Sequence, residues 1–171
     1  MNKLATLTCC AAIGLSSHTG MALAGDKKAT IEGAWEAVVT LRGDAPDCTT
    51  GAIVPEGAGA INPFTAFFTF QQGGTLSEYG TRTSPANRTP GIGVWRPAGK
   101  GKSDAGKYAT RYTFRLYDGN QMQIGRMDVR GDVSLAAGGN KFTGVSRLVV
   151  TDVSGNAFPF CATVEGNRIT F

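Results

Sequence analysis

The sequence predicts an all-β fold: a single antiparallel meander of eight strands closed into a barrel. Three observations carry that expectation. Apolar residues recur with a period of two in nearly every ordered stretch and with a helical period almost nowhere. Clusters of glycine and asparagine cut the chain at short intervals, "QGG" at 72–74, "DGN" at 118–120, "GGN" at 138–140 and "SGN" at 154–156, each suited to a tight hairpin. Two distant cysteines, Cys48 in an early loop and Cys161 in the last strand, would pin that loop to the strand that must meet the first one.

The chain begins with "MNKLATLTCCAAIGLSSHTGMALA", an early lysine, an apolar stretch from Leu4 to Leu15 and a small-x-small close at Ala22-Leu23-Ala24. This pattern is that of a secretory signal cleaved after Ala24, so the expected product is secreted or periplasmic. Cys9 and Cys10 lie inside the apolar stretch rather than after it, which speaks against a lipid anchor. The stretch is also shorter than the ~20 residues that span a bilayer, and no membrane span is expected.

The remainder, Gly25 to Phe171, has 147 residues, the size of one domain with an adequate core. Without Lys3, sixteen basic residues stand against thirteen acidic ones, a net charge of +3. They are dispersed along the chain, which argues against nucleic acid as a partner. His18, the only histidine, leaves with the signal. Without an imidazole, Ser-His and Cys-His catalysis and histidine metal sites are excluded, and neither a metal nor another cofactor is expected. Cys48 and Cys161 are then the surviving pair, and in an oxidising compartment they are expected to form a disulfide. Closing so long a loop contributes ~4 kcal/mol in the chain-entropy model.

Strands are expected over 31–41, 63–71, 75–80, 92–96, 107–117, 121–135, 141–152 and 157–165, each paired antiparallel with its neighbours. Alternation turns Trp35, Ala37, Val39 and Leu41 inward from the first strand, and Phe64, Ala66, Phe68 and Phe70 from the second. Tyr108, Tyr112, Phe114 and Leu116 share a face of the fifth. The small residues Ala37, Ala66, Gly144 and Ser146 leave room inside, so the barrel is expected to enclose a cavity. Two longer stretches, Arg42 to Asn62 and Thr81 to Gly91, are irregular, and the second, "TRTSPANRTPG", has no apolar anchor and is expected to stand free at one end.

Candidate site residues follow from this alternation. Phe68, Tyr108, Tyr112 and Phe114 would line the cavity, with Trp95 either in the core or at the pocket mouth. Arg126, Asp128 and Arg130 share a face that reads as a solvated stripe; a bulge that flipped the register would make Arg126 the anchor of an acidic ligand. Glu78 in "TLSEYG" is placed to face inward beside Tyr112, where burial would raise its pKa and make either residue a candidate general acid or base.

Gly33-x-Trp35 at the start of the first strand resembles the G-x-W signature of lipocalins and related calycin barrels. The resemblance implies that Trp35 plugs one end of the barrel beneath an arginine from the last strand, a position matched by Arg168 in "EGNRITF". Thr151-Asp152 looks like the T-D of the second lipocalin signature. The run "GGNKFTG", Gly138 to Gly144, and the hairpin "YTFRLYDGNQMQIG" are similar to the allene oxide cyclase and dirigent barrels. Taken whole, the chain resembles small secreted bacterial barrel proteins of unassigned role. A calycin-like barrel implies binding of a small hydrophobic molecule. The cyclase resemblance implies a cofactor-free cyclase or isomerase in which Glu78 or Tyr112 steers protons. A third reading, an inhibitor acting through the two long loops, would suit a barrel with a packed interior.

Overall fold

The computed structural model describes residues 29–57, 61–99 and 105–170, and the expected signal lies outside them. Eight strands follow in order: β1 (Gly33–Gly43), β2 (Phe64–Phe70), β3 (Thr75–Gly80), β4 (Gly91–Pro97), β5 (Lys107–Tyr117), β6 (Gln123–Leu135), β7 (Lys141–Asp152) and β8 (Ala157–Arg168). Each pairs antiparallel with the next, and β8 returns to pair with β1, so the all-β meander closes as expected. Among the described residues no helix is long and apolar enough to cross a membrane.

Two boundaries differ from expectation for local reasons. β8 runs on to Arg168 because its last residues find partners at the start of β1, with Trp35 opposite Arg168. β6 starts at Gln123 rather than 121 because the Asp118 carboxylate accepts the amides of Asn120 and Met122, each at 2.9 Å, and so holds the preceding residues in a turn.

The alternation is clean on β1 and β2. Trp35, Ala37, Val39 and Leu41 are buried, as are Phe64, Ala66, Phe68 and Phe70, while Glu36, Val38, Phe67 and Thr69 face out. A one-residue slip would expose all eight inward side chains, so their burial fixes the register. The meander places the short hairpins at 71–74 and 136–140 at one end. The long segments 44–57 and 81–90 gather at the other.

That second end is tied down by polar groups. The Asn62 side chain accepts the Leu41 amide at 2.8 Å and donates to the Leu41 carbonyl at 3.0 Å, taking the place of a strand partner just beyond the last β1–β2 pair. Its Nδ2 also donates to the Val54 carbonyl. The expected disulfide joins Cys48 to Cys161 across 113 residues and fastens segment 44–57 against the outer surface of β8. Segment 81–90 does not stand free, contrary to the sequence expectation. Arg82 and Ile61 exchange hydrogen bonds, and Arg88 turns its side chain into the barrel, where it is buried. The anchor is polar rather than apolar, which is why a search for hydrophobic residues passed over it.

Candidate functional site

The two ends of the interior are built differently. At the end of the short hairpins, Trp35 is wholly buried and donates its indole N–H to the Ile31 carbonyl at 2.8 Å. Phe142 meets it edge-on at 5.0 Å, and Phe70 and Phe68 follow in the same stack. Arg168 lies over the indole at 4.2 Å and donates to the carbonyls of Gly139, Glu32 and Thr30. Gly33 makes this closure possible: its φ is +125°, and a Cβ there would sit 2.7 Å from the Arg168 guanidinium. Gly33, Trp35 and Arg168 thus form one floor.

Above the floor the interior opens into a cavity of about 320 Å³. Its wall is almost entirely aliphatic and aromatic, including Leu41, Phe68, Phe114, Met127, Leu148 and Val164. Of the small residues expected to leave room, only Ser146 lines it. Ala37 and Ala66 are packed in the core, and the space beside Gly144 is filled by Val164, whose Cγ1 would lie 2.8 Å from an added Cβ.

One polar cluster interrupts the apolar wall. Glu78 faces inward from β3, buried, and both of its oxygens face the guanidinium of Arg88, with Nη1 to Oε1 at 3.4 Å and Nη2 closer still to Oε2. The Arg88 guanidinium lies flat over Phe114 at 3.6 Å. Burial pushes the Glu78 carboxyl above its ordinary range, and the Arg88 charge opposes that shift without cancelling it. Two glycines make space for the pair. A Cβ on Gly80 would meet Arg88 and Glu78, each at 2.8 Å, and one on Gly91 would meet Glu78 at 2.7 Å and Tyr112 at 2.9 Å.

Tyr112 stands next to this pair. It lies deep in the protein yet is only half-buried by accessible surface, because the surface it keeps faces the cavity. Desolvation raises its phenol far above the ordinary value; the Glu78 charge adds to the shift and the Arg88 charge opposes it. The group therefore stays a hydrogen-bond donor at any physiological pH. Its hydroxyl has no hydrogen-bond partner among the described residues.

The candidate residues divide accordingly. Phe68, Tyr112, Phe114 and Glu78 line the cavity. Trp95 and Tyr108 meet edge to face at 5.6 Å and do not line the cavity; Trp95 donates to the Gln71 carbonyl and meets Phe70, so they belong to the floor rather than the site. Arg126 is not a ligand anchor. The irregularity in β6 falls before it, at Ile124 between the partners of Leu116 and Tyr117, and leaves Arg126 exposed on the outer surface with Asp128 3.0 Å away. Sequence reasoning missed Arg88, Arg82 and Thr83 at the cavity because all three belong to an irregular segment without periodicity. The one signal that pointed there was the pair of glycines, Gly80 and Gly91, that bracket the irregular segment.

Among the described residues, no three His, Cys, Asp or Glu side chains lie close enough together to hold a metal ion. Fold and site together define a class: a closed eight-stranded antiparallel barrel with an apolar internal cavity, consistent with a calycin-like architecture. Compared with known proteins, the chain matches no family model, no curated sequence and no solved structure.

Proposed function

We propose that the protein binds a small hydrophobic molecule inside the barrel and holds that molecule's hydrogen-bond acceptor on the Tyr112 hydroxyl. The observation that carries this reading is an apolar cavity of about 320 Å³ whose wall includes the phenol of Tyr112, without a hydrogen-bond partner among the described residues. The volume falls at the lower end of small-molecule sites, whose walls are likewise apolar with a few placed polar groups. The Glu78–Arg88 pair adds polarity next to Tyr112 without net charge, which suits a ligand bearing a carbonyl, ether or hydroxyl more than a free ion.

The cyclase or isomerase reading uses the same cavity but asks Glu78 or Tyr112 to exchange protons. Both Glu78 oxygens already face Arg88, and the Tyr112 phenol is held far from ionisation, so the geometry supports binding better. The inhibitor reading loses its main support, since the interior is not packed solid and the loops are tied together at the mouth.

This reading places the protein outside the cytoplasm, as a calycin-like barrel domain of residues 25–171 released from a leader of residues 1–24. The Cys48–Cys161 bridge supports an oxidising compartment. Intact-mass measurement on protein isolated from its own host would read the loss of the leader directly.

Native mass spectrometry of the same material tests the ligand: a co-purifying molecule of matching mass is expected, released on denaturation. Once it is in hand, Tyr112→Phe should weaken its affinity by about fivefold to tenfold, the worth of one hydrogen bond. Leu148→Trp, which fills the cavity, should abolish binding while the β-sheet circular dichroism is kept. Wild-type affinity in a correctly folded Leu148→Trp variant would place the ligand elsewhere and end this reading.

A further inference from the structure

Basic residues that are dispersed along the chain are brought together by the strand register. Arg111 on β5 stands directly opposite Arg130 on β6, and Arg130 directly opposite Arg147 on β7. All three face outward and are exposed. Neighbouring strands lie about 4.8 Å apart, so the three arginines spring from one row of backbone positions whose ends are about 10 Å apart. Like charges directly opposite one another oppose sheet formation. Arg147 is compensated, with Asp44 at 3.6 Å and the carbonyls of Ala45 and Pro46 accepting from it. Arg111 and Arg130 have no ion pair or hydrogen bond among the described residues.

The row forms part of an outer trough of about 1000 Å³ that crosses β4 to β7. The segment at Pro46–Cys48 borders it on one side and the turn at Gly73–Gly74 on the other. Because Cys48 is tied to Cys161, the loop that positions Arg147 is fixed covalently to the barrel. Arg96 extends the positive charge on β4. Asp132, two residues along β6 on the same face, and Asp47 on the bordering loop add two carboxylates, neither within ion-pair distance of these arginines among the described residues.

We propose that this trough binds an acidic polysaccharide, a chain that carries sulfate or carboxylate groups alongside free hydroxyls. Guanidinium forks match oxyanions in a two-point fashion, and a row of three asks for anionic groups repeated along one chain. The Asp132 carboxylate accepts hydroxyl hydrogens but repels a continuous run of phosphates. Single-stranded nucleic acid fits less well, because the one aromatic ring among the described lining residues, Trp95, is already packed against Phe70 and Tyr108 with its indole N–H held by the Gln71 carbonyl. The site lies on the outer surface and stands independently of the cavity reading.

The test is a titration of the full protein with a size-defined heparin hexasaccharide, followed by calorimetry at physiological ionic strength. Wild type is expected to bind, and Arg111→Gln with Arg130→Gln together to weaken binding by about tenfold or more, since charge-assisted pairs dominate such contacts. Arg115→Gln with Arg126→Gln removes an equal charge from another directly opposed pair on the same two strands and should change affinity by less than about twofold. Thermal melting should show no loss of stability in the Arg111/Arg130 variant, which relieves a like-charge contact. Three results would each overturn the proposal: no binding by wild type, equal losses in both double variants, or equally tight Arg111-dependent binding of oligothymidine, polyglutamate or anionic vesicles.

Discussion

Each end of the barrel lays an arginine over an aromatic ring, part-exposed at one end and buried at the other, and the two are used in opposite ways. Arg168 covers Trp35 and donates to three backbone carbonyls, which are neutral and belong to the rim of the barrel. Arg88 covers Phe114 and is matched by a carboxylate inside the cavity. Carbonyl partners stabilise a cation without placing a second charge in the interior, so the floor is a closed structure with nothing left to offer. A carboxylate partner buries two charges whose attraction must offset two desolvation penalties. Such an arrangement is a poor choice for stability alone, and it stands where the cavity needs a polar wall. The contrast teaches that the floor holds the fold while the upper half can serve a ligand.

The comparison breaks most visibly at Glu78. Glu78→Ala leaves Arg88 charged, buried and unmatched, and is expected to cost about 3–5 kcal/mol in urea unfolding. Replacing both partners, Glu78→Met with Arg88→Met, should recover most of that loss or exceed wild type, because neither charge then remains to be desolvated. If the double variant proves as unstable as Glu78→Ala, the pair contributes net stability and the proposed division between the two ends fails.

A smaller effect is expected at the floor. Arg168→Met keeps the aliphatic cover over Trp35 but removes the cation and its hydrogen bonds to carbonyls that water can partly reach, for about 1–3 kcal/mol. The distinguishing readout is the ligand: affinity should be unchanged in folded Arg168→Met, whereas Tyr112→Phe weakens it with little change in stability. A ligand-affinity loss in Arg168→Met would mean that floor and cavity are coupled.

The sequence made these two regions unequally legible. The floor was readable because Gly33, Trp35 and Arg168 sit on regular strands, where alternation fixes which way a side chain points. Strand count, closure and the inward faces of β1 and β2 came from the same signal. The cavity was readable only where strands build it: Phe68, Phe114, Tyr112 and Glu78 were placed on the right face, while Arg88 was not, since no periodicity governs an irregular segment. Arg126 is exposed beside Asp128, in keeping with the solvated-stripe reading of that face; the irregularity at Ile124 comes before it and does not turn it inward as the alternative required. The arginine row on the outer surface was hidden by distance along the chain. Positions 111, 130 and 147 become neighbours only once the hairpin lengths and register are known.

The smallest effect sharpens the comparison through pH. The Glu78 carboxyl is raised above its usual value of 4.5, so its proton is bound more tightly in the folded protein than in the unfolded one. Its contribution to stability is therefore complete below that value and is lost as the pH rises through the folded value. Asp47 and Asp152 behave oppositely. Their exposed carboxylates accept turn amides and hydroxyls, which lowers them from 3.8, so their contributions are present above that value and are lost as the pH falls through the lowered ones. The two windows do not overlap. Urea midpoints measured from the acid range to neutrality should show an acid limb belonging to the turns and, at higher pH, a shallow decline belonging to Glu78. Glu78→Gln, although less stable throughout, should lose only the decline. If its profile kept the wild-type slope above 4.5, the buried pair would be no harder to ionise than a carboxylate in water, and the upper half of the barrel would resemble its floor.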